Sequence, residues 1–132
     1  MKCIIAGSRN FNNYNLLKSE VIKSGFTITE VVSGGANGAD KLGEVYATEK
    51  SIPMKLFQAN WDDINAEKVI VRLRNGRKYN ILAGYNRNEQ MAEYADCLIA
   101  FSINDSKGTA HMIKIARAKG LKIHVVNVSE QI

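Results

Sequence analysis

The chain has 132 residues, of which 45% are hydrophobic and 23% are charged. This size and composition are typical of one globular domain, which we predict over residues 1–132. No apolar run reaches the length of about 18 residues that a membrane-spanning helix needs. The apolar part of residues 1–7 is too short for a signal peptide, so we expect a cytoplasmic protein with no membrane partner.

The net charge of +5 is concentrated in one segment. Between residues 68 and 87 lie six basic residues and no acidic one, whereas the rest of the chain has 12 basic and 13 acidic residues. Because the excess of positive charge lies in one segment, we expect an anion bound at one place rather than a polyanion wrapped over the surface. The six residues are Lys68, Arg72, Arg74, Arg77, Lys78 and Arg87.

The two cysteines, Cys3 and Cys97, lie inside apolar runs that are typical of strands. This placement favours buried, reduced thiols in a cytosolic protein. His111 and His124 are not spaced like members of a Cys/His zinc site, so we expect no metal and no cofactor.

Strand-like and helix-like segments alternate along the chain. In chain order, the pattern predicts a strand over residues 2–7, a helix over 15–23, a strand over 28–33, a helix over 39–50, a strand over 54–57, a helix over 88–94, a strand over 97–101, a helix over 109–119 and a strand over 122–128. Short apolar strands separated by amphipathic helices indicate a parallel sheet covered on both faces. We therefore predict an α/β protein with a Rossmann-like, doubly wound parallel sheet of about five strands.

Residues 69–82 break the alternation. Asn75-Gly76 is a strong signal for a two-residue hairpin turn, and apolar residues recur at every second position on either side of it. We predict a β-hairpin inserted between the third strand and the next helix, with four basic residues near its tip. Either these charges keep the hairpin edges from pairing with other strands, or the hairpin is a basic flap over an anionic ligand.

Three predicted strands end in loops that could bind a phosphate, at residues 7–11, 33–40 and 102–109. All three lead from a strand to a helix, so the fold places them at the same edge of the sheet. Glycines let backbone N–H groups approach an anion, and the next helix offers its free N–H groups. Any one loop could instead be only a tight turn, with Asp40 or Thr109 as a helix cap. The candidate ligand-binding residues in these loops are Gly7, Ser8, Arg9, Ser33, Gly34, Gly35, Ala36, Gly38, Asp40, Ser106, Gly108 and Thr109.

Several signatures of known nucleotide sites and catalytic sites are absent from the sequence. The first strand is not followed by G-x-G-x-x-G, and G-x-x-x-x-G-K-[ST] does not occur. No Ser/His/Asp or Cys/His set is visible. His111 lies one turn into the last predicted helix, where it either reaches the site or stays on the helix surface.

Four motifs together resemble the YspA-like branch of the SLOG superfamily. They are IAGSRNF, VVSGGANGADKLGEVYA, AGYNRNEQMAEYADCLIAF and NDSKGTAHMI, and they leave only the hairpin outside. The superfamily also contains the cytokinin-activating phosphoribohydrolases and the DNA-processing protein A recombination mediators. The resemblance implies a Rossmann-like fold that binds nucleotides or nucleotide-derived ligands, in a branch common in bacteria and phages. It also implies that Arg87 and Asn88 belong to the ligand site, and the phosphoribohydrolase relatives suggest a homodimer.

The catalytic motif of the phosphoribohydrolases is matched only in part. Arg87 matches their arginine, and Gly108-Thr109 matches their Gly-Thr, but Met112 occupies the position of their glutamate. Cleavage of an N-glycosidic bond needs a carboxylate to stabilise the ribosyl cation or to activate water. A hydrolase would therefore need Asp40, Glu44 or Asp105 in that role, together with Arg87.

The sequence leaves three functions open. The first is a domain that binds a nucleotide or nucleotide derivative by phosphate and ribose, with Arg87 as a charged clamp, as a sensor or a sequestering protein. The second is a phosphoribohydrolase that releases the base from a nucleoside 5′-monophosphate. The third is a binder of single-stranded nucleic acid that uses the basic hairpin, with Trp61 or Tyr79 stacking on bases.

Overall fold

The computed structural model describes residues 1–129. Their strands and helices, in chain order, are β1 (Lys2–Gly7), α1 (Tyr14–Ser24), β2 (Glu30–Ser33), α2 (Ala39–Glu49), β3 (Met54–Leu56), β4 (Val71–Arg74), β5 (Arg77–Asn80), α3 (Ala83–Tyr94), β6 (Cys97–Ile103), α4 (Lys107–Ala118) and β7 (Lys122–Val128). None of the helices in this part of the chain is long and apolar enough to cross a membrane.

The main sheet has five parallel strands in the order β3-β2-β1-β6-β7. From β1 the chain winds outward to β2 and β3, and from β6 it winds in the opposite direction to β7. The winding therefore reverses between β1 and β6, and a crevice opens beyond the carboxyl ends of these two strands. The prediction of a doubly wound, Rossmann-like α/β sheet is confirmed.

Alternate residues of the central strands point to opposite faces of the sheet, and both faces are covered. Cys3 and Ile5 of β1 pack in one core cluster with residues of α1 and α2. Ile4 and Ala6 pack in the other cluster with residues of α3 and α4. Burial on both faces explains why β1 and β6 are apolar without alternation. Cys3 and Cys97 are neighbours in the register of β1 and β6, and both are buried and unbridged.

The helix α3 begins at Ala83, five residues before its predicted start at residue 88. Gly84 and Asn86 are weak helix formers, so the sequence pattern did not indicate the first turn and a half of this helix. The buried Asn80 closes the connection from the hairpin, because its Oδ1 accepts hydrogen bonds from the backbone N–H of Ile70 at 3.3 Å and of Leu82 at 3.0 Å. Arg87 consequently lies within a helix and not ahead of one.

The loop between β6 and α4 is shorter than the predicted segment 102–109. The strand β6 continues to Ile103 and α4 begins at Lys107, so three residues connect them. Asn104 and Asp105 both adopt left-handed backbone conformations, with φ of 51°. Asn and Asp tolerate this conformation better than most other residues, which suits them to such a tight connection.

The hairpin is confirmed as a separate two-stranded antiparallel sheet. Asn75 and Gly76 form its turn with φ values of 51° and 76°. The hairpin is attached to the segment before it, because the backbone N–H of Asn80 donates a hydrogen bond to the carbonyl of Trp61 at 2.7 Å. This attachment brings the basic residues of the hairpin toward the edge of the main sheet where the crevice opens.

Candidate ligand site at the carboxyl edge of the sheet

A cavity of about 350 Å³, here called the edge cavity, lies at the point where the winding of the sheet reverses. The loop after β1, the start of α2, the middle of α3 and the start of α4 form its walls. The structure thus brings together residues that are far apart in the sequence. The predicted site residues that line it are Gly7, Ser8, Arg9, Ala36, Asp40, Arg87, Asn88, Ser106, Gly108 and Thr109.

The other predicted site residues lie elsewhere. Gly34 and Gly35 line a neighbouring cavity of about 320 Å³, the side cavity, together with Arg9, Arg87 and Trp61. Gly38 lines neither cavity.

Ser33 and Glu44 are partners of each other and not of the edge cavity. Ser33 is fully buried, and its hydroxyl donates a hydrogen bond of 2.8 Å to Oε2 of Glu44. Glu44 also has Lys41 at 3.8 Å, and it lines neither the edge cavity nor the side cavity. Asp105 is exposed and does not line the edge cavity. Of the three carboxylates that were candidates for the catalytic role in a hydrolase, only Asp40 lines the edge cavity.

The missing side chain of Gly34 makes room for two charged groups. A Cβ atom at this position would lie 2.6 Å from Nη1 of Arg87 and 2.8 Å from Oδ2 of Asp40. Arg87 donates a hydrogen bond from Nη1 to the carbonyl of Gly34, and another from Nε to Oδ1 of Asn88 at 3.1 Å. The guanidinium is therefore held in place by its own neighbours before any ligand arrives.

Gly38 has a different role, which is close packing of two loops. A Cβ atom here would lie 2.2 Å from the carbonyl oxygen of Ser8, and the φ of 83° is in the left-handed region. The next residue, Ala39, donates its N–H to the same carbonyl at 3.4 Å. This glycine lets the start of α2 approach the loop after β1, so it shapes the edge cavity without lining it.

Burial of Asp40 raises the pKa of its carboxyl to about 6, although the N–H of Ala36 and the charge of Arg87 act in the opposite direction. The side chain is 5% exposed. Burial also lowers the pKa of Arg87, and the nearby charge of Arg9 lowers it further. Two cations thus lie near one another at the cavity beside a carboxyl group that can change protonation close to neutral pH.

The start of α4 presents unused hydrogen-bonding groups to the edge cavity. Thr109 is buried, and its Oγ1 has no hydrogen-bond partner within the described residues. Ser106 precedes the helix without capping it by a side-chain hydrogen bond. Ser8, by contrast, is occupied, because its hydroxyl accepts the N–H of Ile103 at 2.8 Å and so fixes the loop after β1 to the end of β6.

His111 supports Asn88 from outside the edge cavity. Its Nδ1 is 3.2 Å from Nδ2 of Asn88, and its ring lies 4.1 Å from the ring of Tyr85. Burial lowers the pKa of His111, which favours the neutral imidazole. His111 therefore does not line the edge cavity itself but contacts Asn88, which does.

The sequence alone did not identify the apolar wall of the edge cavity. Met91 and Met112 line it, although their helical spacing indicated only core packing. Met112 is 1% exposed and occupies the position where the phosphoribohydrolase motif has its glutamate. Within residues 1–129, no group of three or more His, Cys, Asp or Glu side chains could hold a metal ion.

The fold and the site define a Rossmann-like α/β domain with a cavity at the topological switch point, lined by both charged and apolar side chains. Residues 1–63 match the model of the family described as "YspA, cpYpsA-related SLOG family". This match covers slightly less than half of the chain and includes the first two of the four motifs, and it supports a YspA-like SLOG assignment.

A solved structure with a similar fold is the X-ray structure of DNA processing protein A from Streptococcus pneumoniae. The TM-score is 0.52 at 17% sequence identity, with 95% of this chain and 58% of that chain covered. At this identity the likeness shows the fold alone, and this chain spans little more than half the length of that protein. No curated protein matches the sequence.

Proposed function

We propose that the edge cavity binds a nucleotide or a nucleotide-derived ligand through its phosphate and ribose. The observation that carries the proposal is the unpartnered Oγ1 of Thr109, buried at the start of α4. A buried hydroxyl without a partner costs about 1–3 kcal/mol. A phosphate oxygen at this point would accept its hydrogen bond and those of the free N–H groups at the helix start, and it would meet the positive end of the helix dipole.

The charges divide the proposed site into two parts. Arg9 and Arg87 lie near one another in the wall of the edge cavity, so an anion bound in this cavity offsets their mutual repulsion. Asp40, when ionised, repels a phosphate but accepts hydrogen bonds from hydroxyl groups. The phosphate is therefore expected at α4 and the ribose at Asp40. The volume of about 350 Å³ is at the lower end of that of small-molecule sites.

Replacement of Thr109 by valine tests the phosphate contact. Thr109→Val keeps the shape of the side chain and removes the hydroxyl, so the free energy of unfolding should stay the same or rise. Affinity for the ligand should fall roughly 5- to 30-fold, which corresponds to a lost hydrogen bond of about 1–2 kcal/mol. Equilibrium dialysis against purine and pyrimidine nucleoside monophosphates and ADP-ribose measures the affinity.

Thr48→Val is the matched control. Thr48 is exposed on α2, and its hydroxyl is used within the helix, where it donates to the carbonyl of Glu44 at 3.1 Å. Its replacement should leave ligand affinity unchanged. Absence of binding to the wild-type protein at millimolar ligand would refute the proposed function, and equal affinities of Thr109→Val and wild type would refute the phosphate position.

A hydrolase that releases the base is the second candidate, and Asp40 is the observation that favours it. Its carboxyl lines the edge cavity with a pKa raised by burial to about 6, which suits a general acid or base near neutral pH. The catalyst would be Asp40 with Arg87 as a charge stabiliser, since Met112 replaces the glutamate of the relatives. Release of free base from nucleoside 5′-monophosphates, abolished by Asp40→Asn, would support it; no release from any monophosphate would exclude it.

A further inference from the structure

The edge cavity continues past its own walls toward the hairpin. Arg9 lines both the edge cavity and the side cavity, and it also lines a larger space of about 620 Å³ that we call the hairpin groove. Trp61 lies in the wall shared by the side cavity and the hairpin groove. The three spaces are therefore neighbours along a path from the start of α4 to the tip of the hairpin. The hairpin groove adds its volume of about 620 Å³ to that of the edge cavity, so a ligand larger than one mononucleotide has room along this path.

Trp61 is a fixed and partly exposed aromatic surface on this path. Its side chain is 42% exposed. One edge of the ring packs over α3, where Cη2 is 3.4 Å from the position of a Cβ atom at Gly84, and Nη2 of Arg87 is 3.9 Å from the same position. The carbonyl of Trp61 accepts the N–H of Asn80 at 2.7 Å. A tryptophan held in this way can stack on a nucleobase at little cost in conformational entropy.

Two arginines of the hairpin, Arg74 and Arg77, line the hairpin groove together with Trp61. Arg74 and Arg77 are directly opposite one another across the two strands, and like charges in that arrangement repel. Arg77 has an ion pair with Asp62 at 2.9 Å, but both side chains are largely exposed. Arg74 has no ion pair among the described residues. Tyr79 is on the same face as Arg77, two residues further along the strand, and also lines the hairpin groove.

We propose that the hairpin groove is a second subsite, where a base stacks on Trp61 and a phosphate binds Arg74 and Arg77. The ligand then contains two nucleotide units joined through phosphate, with Arg9 beside the linking group. This inference rests on the proposed function, because the first unit occupies the edge cavity. An anion between Arg74 and Arg77 would remove their repulsion, which explains why two arginines face one another there.

The single tryptophan of the chain gives a direct measurement. We would titrate the protein with dinucleotides that carry a phosphate at both the 5′ and the 3′ end, and with the matching 5′-mononucleotides, and record tryptophan fluorescence together with calorimetric affinity. The dinucleotide should quench the fluorescence and bind at least 10-fold more tightly than the mononucleotide. Stacking on an aromatic side chain corresponds to roughly a 5- to 150-fold gain in affinity.

Variants separate the two subsites. Trp61→Ala should reduce the affinity for the dinucleotide toward that for the mononucleotide, since the contacts of Arg74 and Arg77 remain, and should change mononucleotide binding much less. Arg74→Gln should weaken dinucleotide binding and lower its dependence on salt. Lys78→Gln is the matched control, because Lys78 is on the same hairpin with the same charge but faces away from Arg77, opposite Leu73. It should leave both affinities unchanged.

The outcomes distinguish the second subsite from the proposed function. Equal affinities for mononucleotide and dinucleotide, with no change in fluorescence, would overturn the second subsite and leave nucleotide binding at the edge cavity intact. Failure of the wild-type protein to bind either ligand would overturn both. A single-stranded oligonucleotide of about 12 nucleotides shows whether the ligand of the second subsite is a nucleic-acid strand or a free dinucleotide. An affinity well above that of the dinucleotide identifies a strand, and an equal affinity identifies a free dinucleotide.

Discussion

Replacement of Asp40 by asparagine should stabilise the fold at neutral pH. Asparagine has the same shape, and its side-chain oxygen can still accept the N–H of Ala36, which now donates to Oδ2 of Asp40 at 3.3 Å. It removes a carboxylate that is 5% exposed and whose desolvation raises its pKa. The variant therefore keeps the local hydrogen bond while it abolishes the cost of a buried charge.

The size of the effect follows from the pKa of Asp40. The folded value of about 6 lies above the ordinary value of 3.8, and at about 1.4 kcal/mol per pH unit this gap corresponds to about 3 kcal/mol. Asp40 also lies in the first turn of α2, where the helix dipole stabilises a negative charge by about 0.3–1 kcal/mol. The pKa of Asp40 already includes this stabilisation, so about 3 kcal/mol is the upper bound. The amide of asparagine is also polar and buried, so the gain should be about 1–3 kcal/mol.

The pH dependence has a definite sign. Because the folded pKa exceeds the unfolded one, the folded protein holds the Asp40 proton more tightly between pH 3.8 and about 6. The contribution of Asp40 to the free energy of unfolding then falls as pH rises through this window and is constant above it. The gain in the free energy of unfolding of Asp40→Asn over the wild type should be complete at pH 7.5 and should disappear as pH falls toward 4.

Urea unfolding of both proteins without ligand, from pH 4 to pH 8, measures this difference. Asp105→Asn is the control, since Asp105 is exposed on the loop before α4, and its replacement should change stability little at any pH. A variant that is less stable than the wild type at pH 7.5, or a difference that does not vary with pH, would refute the reasoning. The first result would mean that attraction to Arg87 and the local hydrogen bonds outweigh the desolvation of Asp40, and the second would mean that they balance it.

Two further predictions concern packing around the site. Gly34→Ala should displace the guanidinium of Arg87, since the new methyl group would lie 2.6 Å from Nη1, and nucleotide affinity measured by calorimetry should fall, but less far than in Arg87→Ala, because the displaced guanidinium keeps its charge; unchanged affinity would show that Arg87 does not need this position. Phe11→Ala should lower the free energy of unfolding by about 3–5 kcal/mol, because the Phe11 ring is 2% exposed and stacks on Phe101 at 4.6 Å beneath the loop after β1. Denaturant unfolding measures that loss, and a loss below about 1 kcal/mol would contradict the packing.

Several expectations from the sequence stay predictions. The structure of one chain does not address a homodimer, and a cytoplasmic location and the extent of the domain over residues 1–132 rest on the sequence alone. The positions 130–132 lie outside the described residues.

The sequence by itself determined the sheet and the edge at which the cavity lies. Unbroken apolar runs such as residues 97–101 are characteristic of the strands of a parallel sheet, which are buried on both faces, and this local pattern needs no knowledge of distant contacts. The turn at Asn75-Gly76 is equally local, because left-handed backbone at two successive positions strongly favours these residues. For that reason the fold and the hairpin were predictable, and element ends were in error where weak helix formers such as Gly84 begin a helix.

Only the tertiary structure decided which residues of each loop face the cavity. The glycine-rich loop at residues 33–40 was predicted as one wall of the site, yet Ser33 turns to Glu44, Gly38 packs on Ser8, and only Ala36 and Asp40 reach the edge cavity. The connection from Arg9 through Trp61 to the hairpin also joins residues that no spacing in the sequence relates. The physical reason is that side-chain direction and charge burial depend on contacts between segments far apart in the chain, whereas strand and turn preferences depend on neighbours.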